Sequence, residues 1–181
     1  MTTIEIQNRA PSATRWTVDR DRTVVEFAVK TFWGLVTVRG RFDRFDGAYE
    51  VGPDGTKMEL TVDADSIDTG NATRDRHLRS GDFFGVAEHP QVRFSSTRVG
   101  DARAGTVHVE GELEAGGKAA ALEVGATVRQ ADDGLEVEAT TTVDHRQLGM
   151  SSGLLGMIRR PATLHVKARL IASGPVRAIR T

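Results

Sequence analysis

The stretch from Ser66 to Thr97 carries the densest group of side chains that could do acid–base chemistry. An aspartate close to a histidine, here Asp75 with His77, is a pair that general acid–base catalysis can use. The same residue types also serve structure, with Asp68 in a turn, Asn71 as a helix N-cap and Asp75 in an ion pair with an arginine. We favour the structural interpretation and keep the acid–base pair as an alternative. The titratable residues concerned are Asp68, Asp75, His77, Asp82 and His89.

A second motif, Gly149-Met150-Ser151-Ser152-Gly153, matches the G-x-S-x-G signature of serine hydrolases. That signature requires a strand before the serine and a helix after it. Here the next apolar run, 154–158, is short and interrupted by glycine, and Pro161 ends it. No acidic residue follows Ser151 to complete a triad in the order that this fold uses. A hydrolase using Ser151 is therefore the weaker alternative.

Cofactor and metal sites are not indicated by the residue spacing. The chain has no cysteine, which excludes disulfides, thiolate metal sites and cysteine nucleophiles. The five histidines show no H-x-x-x-H spacing, so we expect them to be solvated or capping residues. No glycine-rich phosphate loop leads from a strand into a helix. We expect no metal and no cofactor. The histidines are His77, His89, His108, His145 and His165.

Charge and hydropathy exclude two further classes of protein. The 24 basic and 25 acidic side chains are interspersed, the net charge is −1 and the pI is near 6.5, so a nucleic-acid partner is not expected. No apolar run approaches the roughly 20 residues that a transmembrane helix needs. The N-terminus lacks the basic start and apolar core of a secretion signal. We expect a soluble, cytoplasmic protein.

Alternation of apolar and polar residues is the dominant pattern between the chain ends. Val25, Phe27 and Val29 share one face, and similar runs recur through to Leu164–Leu170. Turn sequences separate these runs, as at Pro53-Asp54-Gly55, Ala115-Gly116-Gly117 and Asp132-Asp133-Gly134. Two of the runs, near Trp16–Asp19 and from Val25 onwards, are read as separate strands. About eight or nine such strands predict an all-β fold, either a sandwich or an antiparallel β-barrel, and glycines within the strand runs favour the barrel.

One segment departs from alternation and predicts a helix. Residues 71–80, NATRDRHLRS, contain good helix formers, and Asn71 is a suitable N-cap. Asp75 precedes Arg79 by four residues, which suits an ion pair on the helix surface. The helix is too short to bury much alone, so we expect it to pack across one end of the barrel. Glycines inside the strand runs predict bends or bulges, at Gly40, Gly47, Gly111 and Gly125.

The inward apolar residues have two interpretations that alternation cannot separate. They fill an ordinary core, or they line a cavity with an apolar gate formed by residues 154–158. A filled barrel would act as a structural or interaction module, for example in a stress response. The candidate ligand-binding residues are Phe27, Val29, Val38, Phe42, Phe45, Leu60, Phe83, Phe84, Phe94, Leu113, Leu122, Leu154, Leu155 and Met157.

Several blocks of residues along the chain form a recognisable set. The blocks are Trp16–Asp19, Val25–Lys30, Val38–Phe42 with Phe45 and Gly47, Ala64–Asn71, Arg74–Asp75, His77–Ser80, Asp82–Phe84, His89–Pro90, Phe94, Ser96, Gly111–Leu113 and Thr142–Met150. Taken together, they resemble the YceI-like, polyisoprenoid-binding, lipocalin-like family, and the central block is the most specific because it contains so many fixed residues. The resemblance covers about residues 15–172, which we take as one barrel domain between an N-terminal extension, 1–14, and a C-terminal tail, 173–181.

The resemblance implies an elongated antiparallel barrel, often dimeric, that holds a polyprenyl-like chain or an isoprenoid quinone and has no catalytic residues. It strengthens the assignment of Phe27, Phe42, Phe83, Phe84 and Phe94. Two segments depart from the family pattern. Glu114–Lys118 stands where a threonine-lysine-glycine-threonine turn is usual, and within Asp144–Gly149 His145 replaces the usual arginine and Leu148 the usual aromatic residue. A ligand headgroup, phosphate or quinone oxygen, is expected at the barrel mouth near Arg74, His77 or Arg79.

Overall fold

The computed structural model describes residues 14–31, 36–100, 103, 105–150 and 161–175. Strands account for most of them, in agreement with the predicted all-β class. No helix within these ranges has the length and apolar character needed to cross a membrane. The elements are β1 (Thr14–Thr31), β2 (Val36–Phe42), β3 (Phe45–Gly52), β4 (Gly55–Asp63), β5 (Ile67–Asp68), α1 (Ala72–Arg79), β6 (Gln91–Val99), β7 (Thr106–Ala115), β8 (Lys118–Ala131), β9 (Gly134–Val143) and β10 (Ala162–Pro175), with a 3₁₀ turn at Ala64–Ser66.

The sheet closes on itself through β1. One edge of β1 pairs with β10 over Thr14–Ala28, while its other edge pairs first with β3 and then, from Val25, with β2. The remaining ladder runs β3-β4-β6-β7-β8-β9-β10, and every pairing is antiparallel. The result is a closed eight-stranded barrel, and β2 carries the two-residue β5 beyond it. The predicted architecture is confirmed.

The structure corrects the sequence interpretation of β1. Two strands were expected around Trp16–Asp19 and from Val25 onwards, but one strand spans both. Its pairing with β10 shifts register between Asp19 and Val24, which marks a bulge. Within this bulge Thr23 is buried, and its hydroxyl accepts a hydrogen bond from the Arg169 backbone N–H at 3.0 Å. Because a bulge inserts unpaired residues without ending the strand, the alternation breaks while the chain continues.

Alternation along the strands places the apolar residues inside the barrel. The alternation is regular in β7, where Val107, Val109, Leu113 and Ala115 are buried, whereas His108 is exposed. Burying side chains of this kind is worth about 1.5–3 kcal/mol each, relative to leaving them in water. The interior therefore supplies the main stabilisation, and it also defines the space described below.

Two of the strand glycines lie beneath aromatic rings. A Cβ on Gly111 would lie 2.6 Å from the Phe94 ring and 2.6 Å from the Ser95 carbonyl oxygen. A Cβ on Gly40 would clash with the Phe27 ring. Gly125 has no such neighbour within 4 Å. Glycine at the first two positions thus makes room for rings that project into the barrel.

Candidate ligand cavity

A cavity of about 260 Å³ lies inside the barrel. Its wall is formed by side chains from strands all around the sheet and from the segment after β5. Among the residues that line it are Val18, Val25, Phe27, Val29, Val38, Phe42, Tyr49, Met58, Leu60, Val62, Ile67, Leu78, Phe83, Phe84, Val92, Phe94, Val109, Leu113, Leu122, Val124, Ala126, Val137, Ala139, Thr141, Val143, Leu148, Met150, Leu164, Val166 and Leu170.

The strands position this wall through their two-residue repeat. In β10 every second residue from Ala162 to Leu170 lines the cavity. The eight residue-to-residue steps from Ala162 to Leu170, at about 3.3 Å each, span roughly 26 Å. In the middle of the wall Ala126 of β8 faces Ala139 of β9 across the ladder. These small side chains leave space that larger residues would fill.

The helix and the turns that follow it cover one end of the barrel. Leu78 of α1 is buried, and the ring of Phe84 meets Phe42 edge-on, with 6.0 Å between ring centroids. Phe83 and Phe84 are themselves T-shaped at 5.1 Å. Asn71 caps α1 by accepting a hydrogen bond from the Arg74 N–H at 3.0 Å. The predicted helix over 71–80 and its position at one end are confirmed.

Asp75 holds this end in place through Thr69 rather than through Arg79. The buried Asp75 carboxylate accepts hydrogen bonds from the Thr69 backbone N–H at 3.0 Å and from the Thr69 hydroxyl at 2.5 Å. Arg79 instead forms a salt bridge with Asp65 and donates to the Ile67 carbonyl. The expected Asp75–Arg79 ion pair was wrong, because the loop before the helix presents donors that sequence spacing within the helix does not reveal.

The structure brings most of the sequence-selected apolar residues to one cavity. Phe45 is the exception among the described residues: it is buried in the core cluster around Phe42 but does not line the cavity. Leu154, Leu155 and Met157 lie outside the described residues. The residues that line the cavity are Phe27, Val29, Val38, Phe42, Leu60, Phe83, Phe84, Phe94, Leu113 and Leu122.

The three expected headgroup residues are not brought together at the cavity. Arg74 lines it, but its Nε donates to the Thr69 hydroxyl at 2.8 Å and another guanidinium nitrogen donates to the Thr69 carbonyl at 2.9 Å. Arg79 is engaged with Asp65 and Ile67, as described above. His77 is half-buried on α1 and does not line the cavity. The cationic groups of this segment therefore bind the backbone around α1.

His145 is the wall residue that sequence reasoning missed. It was expected to be solvated or capping, but it is only 5% exposed and lines the cavity. Its Nε2 is buried and has no hydrogen-bond partner among the described residues. Burial lowers the pKa of His145, an effect that Asp144 opposes and Arg146 reinforces. The sequence did contain one signal for His145, because it stands at a position where the family usually has an arginine.

The turn that carries His145 is fixed by its neighbours on both sides. Arg146 holds the Asp144 carboxylate with contacts of 2.9 Å and 2.6 Å, which lowers the pKa of Asp144 to about 2. The His145 carbonyl accepts hydrogen bonds from the N–H groups of Leu148 and Met150, both at 3.2 Å. Leu148 and Met150 are buried in the core cluster that also includes Leu113. The turn thus inserts three side chains into this end of the barrel.

The chemistry considered for an enzyme receives little support from the geometry. The Asp75 carboxylate is occupied by two donors from Thr69. Ser151 lies outside the described residues. In the described part of the chain no three His, Asp or Glu side chains are grouped closely enough to hold a metal ion. What these residues assemble is a mostly apolar cavity. Among its polar wall residues, His145 has a buried nitrogen without a hydrogen-bond partner in the described ranges.

The fold and the cavity define a lipocalin-like barrel, and the comparisons identify the family. Residues 16–170 match the family model of the YceI-like domain, so the chain belongs to the YceI-like family. A UPF0312 protein of Pseudomonas aeruginosa strain LESB58 is 32% identical over 161 residues, which cover 83% of this chain and 80% of the relative. A UPF0312 protein of Shewanella baltica is 31% identical, with 91% and 89% covered.

Two solved structures share the fold at low sequence identity. BcnA of Burkholderia cenocepacia superposes with a TM-score of 0.75 at 20% identity, covering 83% of this chain and 98% of that one. A polyisoprenoid binding domain from Saccharophagus degradans, implicated in plant cell wall breakdown, gives a TM-score of 0.70 at 16% identity, covering 87% and 98%. These likenesses establish the barrel architecture independently of the sequence pattern.

Proposed function

We propose that this protein binds an isoprenoid-type lipid, a polyprenyl chain or an isoprenoid quinone, inside the barrel, for carriage, storage or sensing. The observation that carries the proposal is the cavity itself, which apolar side chains from all around the barrel line without filling. The polyisoprenoid binding domain of Saccharophagus degradans, which shares this fold, supports the same class of ligand. Binding, and not catalysis, is the role that we assign to the interior.

The energetics of such a site favour a long apolar ligand. Transfer of each CH₂ group from water to an apolar interior is worth about 0.8 kcal/mol. After the costs of ordering, ligands of moderate size retain about 0.3 kcal/mol per atom. A chain of several isoprene units that lies along the strands therefore binds tightly without any charged contact.

The proposal is tested by extracting the purified protein with organic solvent and identifying the co-purified lipid by mass spectrometry. A sample denatured and washed before extraction controls for lipid carried over from the cells. We expect a prenyl lipid or isoprenoid quinone in near-stoichiometric amount.

If the extract contains no lipid, a prenol is added to the protein, and binding is measured by the change in tryptophan fluorescence. Failure of both extraction and loading would contradict the proposal and favour the filled barrel as an interaction module. The homodimer suggested by the family resemblance stays a prediction, which sedimentation of the loaded protein checks.

A further inference from the structure

His145 is a buried polar side chain on the cavity wall, and one of its ring nitrogens has no hydrogen-bond partner among the described residues. The hydroxyl of Thr141 donates to the Glu123 carbonyl at 2.7 Å, and that of Thr31 to the Val36 carbonyl at 3.3 Å. Arg74 is bound to Thr69. The His145 Nε2, in contrast, is buried without a partner in these ranges.

An unpartnered polar atom in an apolar interior is unfavourable, at a cost of about 1–3 kcal/mol. Replacement by an apolar residue of similar size would remove that cost, so the imidazole is expected to have a partner in the functional state. The same side chain lines the cavity, so a ligand held there lies beside the residue whose nitrogen lacks a partner. The turn that carries it is braced by the contacts between Arg146 and Asp144, which fix the backbone on either side of His145.

The chemistry of the wall restricts what that ligand group can be. Burial lowers the pKa of His145, which favours the uncharged form of the ring. The described cationic side chain on the wall, Arg74, already donates two hydrogen bonds to Thr69. A buried phosphate requires paired charge or several donors, whereas an uncharged oxygen requires one hydrogen bond. The wall therefore suits a hydroxyl or carbonyl oxygen better than a phosphate.

We propose that His145 is a specificity-determining residue, whose Nε2 forms a hydrogen bond with a hydroxyl or carbonyl oxygen of the lipid held in the cavity. This inference rests on the proposed function and names the ligand class more narrowly: an isoprenoid with an uncharged oxygen, such as a free prenol or a quinone. A hydroxyl suits either tautomer of the ring, whereas a carbonyl requires the proton on Nε2.

The test compares isoprenoid ligands that carry different polar groups or none. Geranylgeraniol, the hydrocarbon of equal chain length, geranylgeranyl pyrophosphate and a short-chain ubiquinone are titrated into the protein and into His145→Leu and His145→Gln. We expect the wild type to prefer the prenol or the quinone over the hydrocarbon by about 5- to 20-fold, which corresponds to one buried hydrogen bond. His145→Leu should lose this preference while keeping its affinity for the hydrocarbon, and His145→Gln should retain part of it.

Geranylgeraniol offers a hydroxyl and the ubiquinone offers carbonyl oxygens. Whichever of the two the wild type binds more tightly identifies the bound lipid as a prenol or a quinone. An unchanged preference in folded His145→Leu would overturn the inference, and so would the tightest binding for the pyrophosphate. Failure of the wild type to bind any of the four ligands would overturn the proposed function itself.

A spectroscopic measurement keeps the inference testable if the leucine variant does not fold. The ¹⁵N resonance of Nε2 in the wild type should shift on addition of the oxygenated ligand and remain nearly unchanged with the hydrocarbon. Equal shifts with both ligands would contradict a hydrogen bond at this atom.

Discussion

The barrel wall and the helical cap, defined as residues 63–90, are stabilised in different ways. The wall is a repeated antiparallel ladder whose inward side chains are apolar and similar in kind. The cap depends on individual polar contacts, such as those of Asp75 with Thr69 and of Arg79 with Asp65. We therefore expect the wall to tolerate the substitution of one apolar residue by another, and to be destabilised only by a charged or a larger side chain. The cap should be destabilised by the loss of single hydrogen bonds.

The largest effect is expected where wall and cap meet, at Phe42. Phe42 is buried against Phe27 and Phe84. Phe42→Asp places an unpaired carboxylate among these rings, and we expect it to lower the free energy of unfolding by at least about 3 kcal/mol and to abolish lipid loading. Phe42→Leu keeps an apolar side chain and should cost less than about 1.5 kcal/mol. Urea unfolding checks both variants, and a similar loss in both would contradict the tolerance of the wall.

Within the cap, Asp75→Ala is expected to cost about 2 kcal/mol. The substitution leaves the Thr69 backbone N–H and hydroxyl without their acceptor in a partly buried site. Arg76, an exposed residue on the same helix, provides the matched control, and Arg76→Ala should change stability by less than about 0.5 kcal/mol. Thermal unfolding followed by circular dichroism measures the difference. Equal stability of the two variants would show that the Asp75 contacts do not hold the cap.

A smaller effect should separate two glycines of the wall. Gly111→Ala forces a Cβ against the Phe94 ring and the Ser95 carbonyl, so we expect a loss of about 1–2 kcal/mol. Gly125→Ala meets no atom within 4 Å, and it should be neutral or stabilising by up to about 1 kcal/mol because it restricts the unfolded chain. The sign of the difference in denaturation midpoint is decisive, and the reverse order would refute the packing described for Gly111.

The smallest effect is expected at the start of the helix. Asn71→Ala removes the acceptor for the Arg74 N–H and should cost about 1 kcal/mol. Asn71→Asp keeps an acceptor at the N-cap and should remain within a few tenths of a kcal/mol of the wild type. Amide hydrogen exchange in the first turn of α1 reports the fraying directly. Equal exchange in both variants would mean that the hydrogen bond from the Arg74 N–H to Asn71 does not stabilise the start of α1.

The same contrast explains what the sequence could predict. Alternation predicted the wall, because a two-residue repeat with a buried face leaves one arrangement for residues such as Phe27 and Leu113. Capping chemistry predicted α1, since Asn71 carries a local signal. The continuity of β1 across its bulge and the partner of Asp75 could not be predicted, because each depends on a residue distant in space or in another loop.

The site was predicted unevenly for a related reason. The described apolar residues on inward faces lie around the cavity, except Phe45, which belongs to the core and not to the lining. His145 was overlooked, because a histidine in a turn between charged neighbours is expected to be exposed to solvent. Its burial arises from the turn that inserts Leu148 and Met150 into the barrel, which no periodic pattern encodes.

The most direct test of the account asks whether the ligand lies inside the barrel. Native mass spectrometry of the purified protein is compared between Ala139→Phe, which adds a ring to the inner wall, and Ala121→Phe, which adds the same ring to the exposed face of β8. We predict one lipid per chain in the wild type and in Ala121→Phe, and an empty barrel in Ala139→Phe. A folded Ala139→Phe protein that carries lipid at the wild-type level would contradict binding in the interior.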